Sequence, residues 1–307
     1  MKRHLWLIPL SLLMLIGISV LFLFYHASGS HIILQVRLPR LVLGIFSGIV
    51  LAVVGSSFQV ILNNPLAEPY ILGTSSGAAL GSVLAMLSGV FWLMPLFGFA
   101  GALFSTLLVW FLARTGGFIH STRLLLSGVI IGMFFSAIIS LLIYLNQREI
   151  GSIIDILMGN LGRIFTHSEW RLFLILGGIS SGLVVYLFFL GSRMNAVTAG
   201  DWVAHTMGAD PVNLRKQVFV IGAILTGFAV AYAGVIGFIG LIIPHMIRLL
   251  GVNRQRQALP ASAFGGAFLL VLCDFIAMHI AVIEIPVGVV TAFIGSPFFI
   301  YLLIKKR

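Results

Sequence analysis

Apolar runs of about 20 residues recur along the whole chain, and this feature limits what it can fold into more than any other. A helix of that length matches a hydrocarbon core of ~30 Å. Only 8% of the 307 residues are charged and 60% are hydrophobic. A water-facing surface needs roughly a quarter of its residues charged, so the solvent of this chain is largely lipid. No linker, low-complexity stretch or charge block divides it, and the reading is one transmembrane domain over residues 1–307.

The formal net charge of +10 raises the question of nucleic acid. Its distribution argues against that partner: the four lysines (Lys2, Lys216, Lys305, Lys306) form no patch with aromatics. Basic residues here flank membrane spans instead. The single Cys273 lies in an apolar run, so no intrachain disulfide or cysteine metal cluster is possible. Lys2 and Arg3 before Leu5–Tyr25 imitate a signal peptide, but the apolar stretch exceeds a signal core of about 7–15 residues. It is read as a retained first span.

The coarse reading is all-α, a polytopic membrane protein with about ten helices at 5–25, 41–62, 70–91, 95–113, 124–145, 172–191, 217–236, 238–250, 260–281 and 286–303. Residues 70–113 are divided at Pro95. Residues 217–250 are divided at Gly234, Gly237 and Gly240, which makes the eighth helix short and broken or tilted. With both termini in the cytoplasm, thirteen basic residues fall inside and five outside (Arg37, Arg40, Arg148, Arg163, Arg171). That bias follows the positive-inside rule. The five outer arginines oppose it: they either snorkel at helix ends or serve a function.

Two distant segments share a pattern. Ser47-Gly48, Gly55 and Pro65 are matched by Thr226-Gly227, Gly234 and Pro244 at a constant offset of 179 residues. Five helices separate the copies, so they run in opposite directions, as in inverted-repeat transporters whose path lies at the repeat interface. With 34 glycines in the chain, chance is the rival explanation.

Gly73-Thr74-Ser75-Ser76-Gly77 matches G-x-S-x-G, which needs a strand-to-helix turn to present a serine nucleophile. Here it opens an apolar helix, where small residues permit close packing. No phosphate-binding loop of the form G-x-x-x-x-G-K-[ST] occurs, so any ATP that drives this protein is bound by another chain. No cluster of His, Cys and carboxylates suits a bare metal ion, and no cofactor is expected on this chain.

Several runs stand out in order along the chain: Arg37-Leu38-Pro39-Arg40, Asn64-Pro65-Leu66-Ala67-Glu68-Pro69, Leu72-Gly73-Thr74-Ser75-Ser76-Gly77-Ala78-Ala79, Arg123-Leu124-Leu125-Leu126-Ser127-Gly128, Met158-Gly159, Gly237-Phe238-Ile239-Gly240-Leu241-Ile242-Ile243-Pro244-His245, Leu259-Pro260-Ala261 and Glu284-Ile285-Pro286-Val287-Gly288-Val289-Val290-Thr291. Together they resemble the FecCD family, the permeases of type II ABC importers for iron-siderophores, haem and vitamin B12. The resemblance implies a homodimer of ten-helix subunits in the cytoplasmic membrane, two cytoplasmic ATP-binding cassette subunits, and an extracytoplasmic substrate-binding protein. Ferric siderophore is the substrate expected first, with vitamin B12 or haem as alternatives.

The resemblance also implies roles for residues. In a vitamin B12 importer of the family, arginines of the matching R-x-P-R run pair with glutamates of the binding protein. This assigns docking to Arg37 and Arg40, whose guanidinium forks suit carboxylates. A third arginine of that importer is missing here, and His279 is the nearest substitute. A coupling helix is implied within about 198–212, where Gly200, Ala204 and Gly208 keep the family spacing. Asp201, Trp202, Val203 and Met207 complete it, and periodicity lets Val203, Met207 and Trp202 meet an apolar groove. The rival is an interfacial helix anchored by Trp202.

Ser127, Gly128, Gly132, Ser136 and Ser140 share one face of the fifth helix. Together with Gly288 and Gly295 of the tenth they are assigned to the translocation path, against packing alone. Asp274 is read as the only acid well inside a span. The rival functions are an ion-coupled secondary transporter, an intramembrane hydrolase using Ser75, and a channel, for which no selectivity ring is present.

Overall fold

The structure, a computed structural model, describes residues 6–25, 29–115, 118–119, 121–162 and 166–305. Its helices are α1 Leu7–Phe24, α2 Leu38–Ile61, α3 Thr74–Leu87, α4 Met94–Ala113, α5 Ser121–Leu145, α6 Ile150–Met158, α7 His167–Thr198, α8 Asp201–Thr206, α9 Pro211–Ala233, α10 Ile239–Leu249, α11 Gln255–His279 and α12 Val287–Lys305. A short turn Ser30–Ile32 and a π-helical stretch Ile33–Arg37 lead into α2. Among the described residues the strand structure is a two-residue antiparallel pairing of Arg114–Thr115 with Phe118–Ile119.

Every one of the ten expected apolar segments is helical. Among the described residues, seven helices are long and apolar enough to cross a membrane by length and composition, and α3, α10 and α12 are shorter apolar helices. Boundaries shift for local reasons. The helix expected at 70–91 shrinks to Thr74–Leu87, because Gly73 and Gly89 adopt φ of 67° and 74° and end the helix on both sides. The helix expected at 172–191 lengthens to His167–Thr198: Thr166 and Glu169 form a reciprocal capping box that starts it earlier. Asp210 caps α9 through the Val212 and Asn213 amides, and Pro211 takes the first helical position.

α2 and α9 form the centre of the bundle. In each, 78% of the apolar window is buried, against 22–28% for the windows of α1, α5 and α7. These two helices carry the repeated glycines, and the glycines make reciprocal contacts. A methyl added at Gly48 of α2 would sit 2.5 Å from the Gly266 carbonyl oxygen of α11. One added at Gly227 of α9 would sit 2.7 Å from Cβ of Ala102 in α4. Counted along the ten apolar segments, helix two thus seats on helix nine and helix seven on helix four. That exchange is what a pseudo-two-fold repeat produces. The later positions of the repeat differ: Gly55 is inside α2 but Gly234 follows the end of α9, and Pro65 lies in the loop after α2 whereas Pro244 is inside α10. α1 joins from outside, packing Leu15, Ile18 and Phe22 against Leu41, Ala267 and Val271.

Candidate functional site

At the end of the bundle where α1 stops, α2 starts and α11 stops, polar groups gather. Arg40 is buried at 5% exposure. Its Nε and Nη2 each donate to one oxygen of Asp274 at 2.8 Å, a bidentate pair across 234 residues of sequence. Its Nη1 donates to Glu284 Oε2 at 2.9 Å, and Glu284 itself is more than half exposed. Arg37, also buried, donates through Nη1 to the carbonyls of Phe22, Leu23 and Tyr25. Exposed His279 accepts or donates at Phe275 O, 2.7 Å away, and stacks with Tyr25 and Phe275.

Arg37, Arg40 and His279 are therefore brought to one corner. Both arginines are engaged by groups of this chain. Two carboxylates and three carbonyls of this chain lie within reach, and a desolvated guanidinium takes every acceptor offered. Asp274, read as a lone intramembrane acid, is one arm of this pair. Arg148 and Arg171 are exposed at helix ends, as snorkelling requires; Arg163 lies outside the described residues.

The second feature is the break between α9 and α10. Residues 234–238 carry no regular helix bonding, and Phe238 holds φ 70°, left-handed for a non-glycine residue. That conformation costs roughly 1–3 kcal/mol unless its surroundings enforce it. They do. Glu68 Oε1 accepts the Phe238 N–H at 2.7 Å, and Tyr70 Oη both accepts from Ile236 N and donates to Ile236 O, each at 3.0 Å. On the opposite side Asn160 N donates to Ala233 O at 2.9 Å, and Val235 N donates to Ile156 O of α6. His245 of α10 meets the rings of Phe298 and Phe299 in α12 edge-on. Sequence reasoning quoted Glu68 only as part of a motif and did not name Tyr70. An acid within a long apolar region was the available signal.

Small residues of α5 and the start of α3 border an open depression of about 440 Å³ lined by Tyr70, Gly73, Ser75, Ser76, Gly128, Gly132 and Ser136, among others. Of the face assigned to the path, Gly128, Gly132 and Ser136 line it. Ser127 is buried in packing, and Ser140 is exposed and bonds back to Ser136 O. A larger cavity of about 660 Å³ lies between α6, the break and α12, and includes Gly288. Gly295 does not line it: it is buried, and a methyl there would meet the Phe238 ring at 2.4 Å. The turn before Gly73 is a 3-10 helix, Pro69–Leu72, so Ser75 has no strand-to-helix elbow beneath it.

At the other end, α8 spans only Asp201–Thr206, between Gly200 at φ 108° and Gly208 at φ 76°. Ala204 faces inward and is fully buried, while Trp202 and Met207 are 79% and 69% exposed. Val203 is half-buried. The helix thus seats on one small residue and presents two large apolar side chains.

The sequence profile of the FecCD transport family matches residues 5–305. The vitamin B12 import system permease protein BtuC of Escherichia coli is 34% identical over 318 aligned positions, covering 98% of this chain and 95% of the relative. The cobalamin import system permease protein BtuC of Halobacterium salinarum is 40% identical, covering 87% and 72%. A solved structure described as an inward-facing conformation of a metal-chelate type ABC transporter superposes with a TM-score of 0.84 at 30% identity, covering 97% of this chain and 98% of that one.

Proposed function

The chain belongs to the FecCD transport family, and from that premise we propose that it carries a large metal chelate, a corrinoid or a ferric siderophore, across the cytoplasmic membrane. It is a multi-span permease of the ABC-importer class. The observation that carries the proposal is likeness over essentially the whole chain, in sequence and in structure, to proteins named for vitamin B12 and metal-chelate transport. The names of the relatives support a corrinoid at least as well as the ferric siderophore expected first.

The proposed assembly is a pair of these chains with two ATPase subunits and an extracytoplasmic binding protein. Each chain acts as a single domain with ten crossings and both termini inside. α8 is the coupling element: Trp202, Val203 and Met207 enter a groove of the ATPase while Ala204 holds the helix to its own bundle. The corner of Arg37, Arg40 and His279 is the docking end. There Arg37 holds the end of α1 through its carbonyls, Arg40 joins Asp274 and Glu284, and exposed His279 and Glu284 face the partner. The cavities along α5 and α12 belong to the path, where wide and weakly polar walls let a bulky chelate pass without being held. Rocking of the two halves at the α9–α10 break supplies alternating access.

Titrating the binding protein that serves this permease with cobalamin, haem and ferric siderophores tests the cargo. Reconstituted uptake that persists after ATP depletion, with the proton gradient held, would refute the importer assignment in favour of an ion-coupled transporter.

A further inference from the structure

We propose that the seam between the end of α7 and the start of α11 binds the headgroup of an anionic phospholipid. The two helix ends touch: a methyl at Gly191 would lie 3.3 Å from Arg256 N, and Asn195 Oδ1 accepts the Gln255 N–H at 2.8 Å. Beside this contact is a cavity of about 450 Å³ lined by Phe188, Phe189, Ser192 and Arg256. Arg193 and Arg254 lie within two residues of its lining, and all three arginines are exposed. Among the described residues none of the three guanidinium groups has an ion pair or hydrogen bond.

Within α7 and α11 themselves the positive charge is not balanced near the seam. α7 has no carboxylate after Glu169, and α11 has none before Asp274. The α11 N-terminus adds positive partial charge at the same place. Unpaired arginines at the level where two spans end attract an anion. The other wall of the cavity decides which anion. Phe189 is 76% exposed, and with Phe188 it offers an apolar floor that free phosphate has no use for and an acyl chain does. A phosphodiester on Arg193 and Arg256, with its chains along Phe189, uses both walls. Placing the seam in the inner leaflet rests on the orientation proposed above.

The test is lipid retention by the purified full chain in nanodiscs, read by native mass spectrometry. Wild type should retain phosphatidylglycerol over phosphatidylcholine. Arg193→Ala with Arg256→Ala should lower that retention about 30-fold, taking roughly fivefold per basic side chain at an anionic surface. The charge-keeping pair Arg193→Lys with Arg256→Lys should retain most of it, which separates lost charge from lost fold. The proposal is overturned if wild type shows no preference for the anionic lipid, or if the alanine pair retains it unchanged. Displacement of the lipid by inorganic phosphate at equal ionic strength would make this an anion site only. Unchanged lipid with lost ATPase co-purification would make it a protein-docking surface. Labelling Ser192→Cys from each side of the membrane reports the leaflet separately, so a wrong orientation and an absent site give different results.

Discussion

Replacing Asp274 by alanine should be among the most destabilising single changes outside the glycine contacts. Arg40 is 5% exposed and Asp274 2%. Two of the three guanidinium donors used in this cluster go to Asp274 at 2.8 Å. Removing one partner of a buried pair costs about 3–5 kcal/mol, because the other charge stays desolvated. Glu284 remains at 2.9 Å but is 56% exposed, and an exposed partner returns about 0–1 kcal/mol. The net expectation for Asp274→Ala is a loss of about 3 kcal/mol. Asp274→Asn keeps one acceptor oxygen and should lose less. Arg40→Met with Asp274→Leu removes both charges and fills the space, so it should lie near wild type or above it. A denaturant series on the detergent-solubilised chain, run where unfolding is reversible, measures this as a shift in midpoint. A single variant within about 1 kcal/mol of wild type, or a double variant no better than the single, would show that the pair does not organise the corner. The double variant also isolates docking: unchanged affinity for the binding protein would mean that docking does not use the charge of Arg40.

Three other outcomes follow from the geometry. Glu68→Ala strands the Phe238 N–H and should cost about 1–3 kcal/mol, with faster amide exchange at the break, whereas Glu68→Gln keeps an acceptor and should spare both. Gly48→Ala places a methyl 2.5 Å from the Gly266 carbonyl and should lower thermal stability by about 1–3 kcal/mol through overpacking; Gly177→Ala, with nothing within 4 Å, is the neutral control. Trp202→Ala and Met207→Ala should leave stability within about 0.5 kcal/mol, since both side chains are exposed, while lowering ATPase co-purification if α8 is the coupling element; Ala204→Leu should disturb the seat of the helix itself.

Much of the fold was open to reading from residue order. Apolar runs located every long helix, and Gly234, Gly237 and Gly240 located the break. Signals also went unused: Thr166-x-x-Glu169 marks the start of α7, and Asp210-Pro211 that of α9. α6 was missed: its nine residues lie between the helices expected at 124–145 and 172–191. The site was less legible. The small residues on α5 were grouped on one face by period alone, yet only three of the five line the cavity, because the approach of α3 selects among them.

Residue order by itself determined the medium and the helical segments, because in lipid a helix closes its own backbone hydrogen bonds within four residues and needs no distant partner to do so. Tertiary structure alone decided which charges are spent inside. Arg40 meets Asp274 across 234 positions and Glu68 meets Phe238 across 170. Such pairs depend on which helix faces touch, and the glycine contacts between α2 and α11 and between α9 and α4 set those faces.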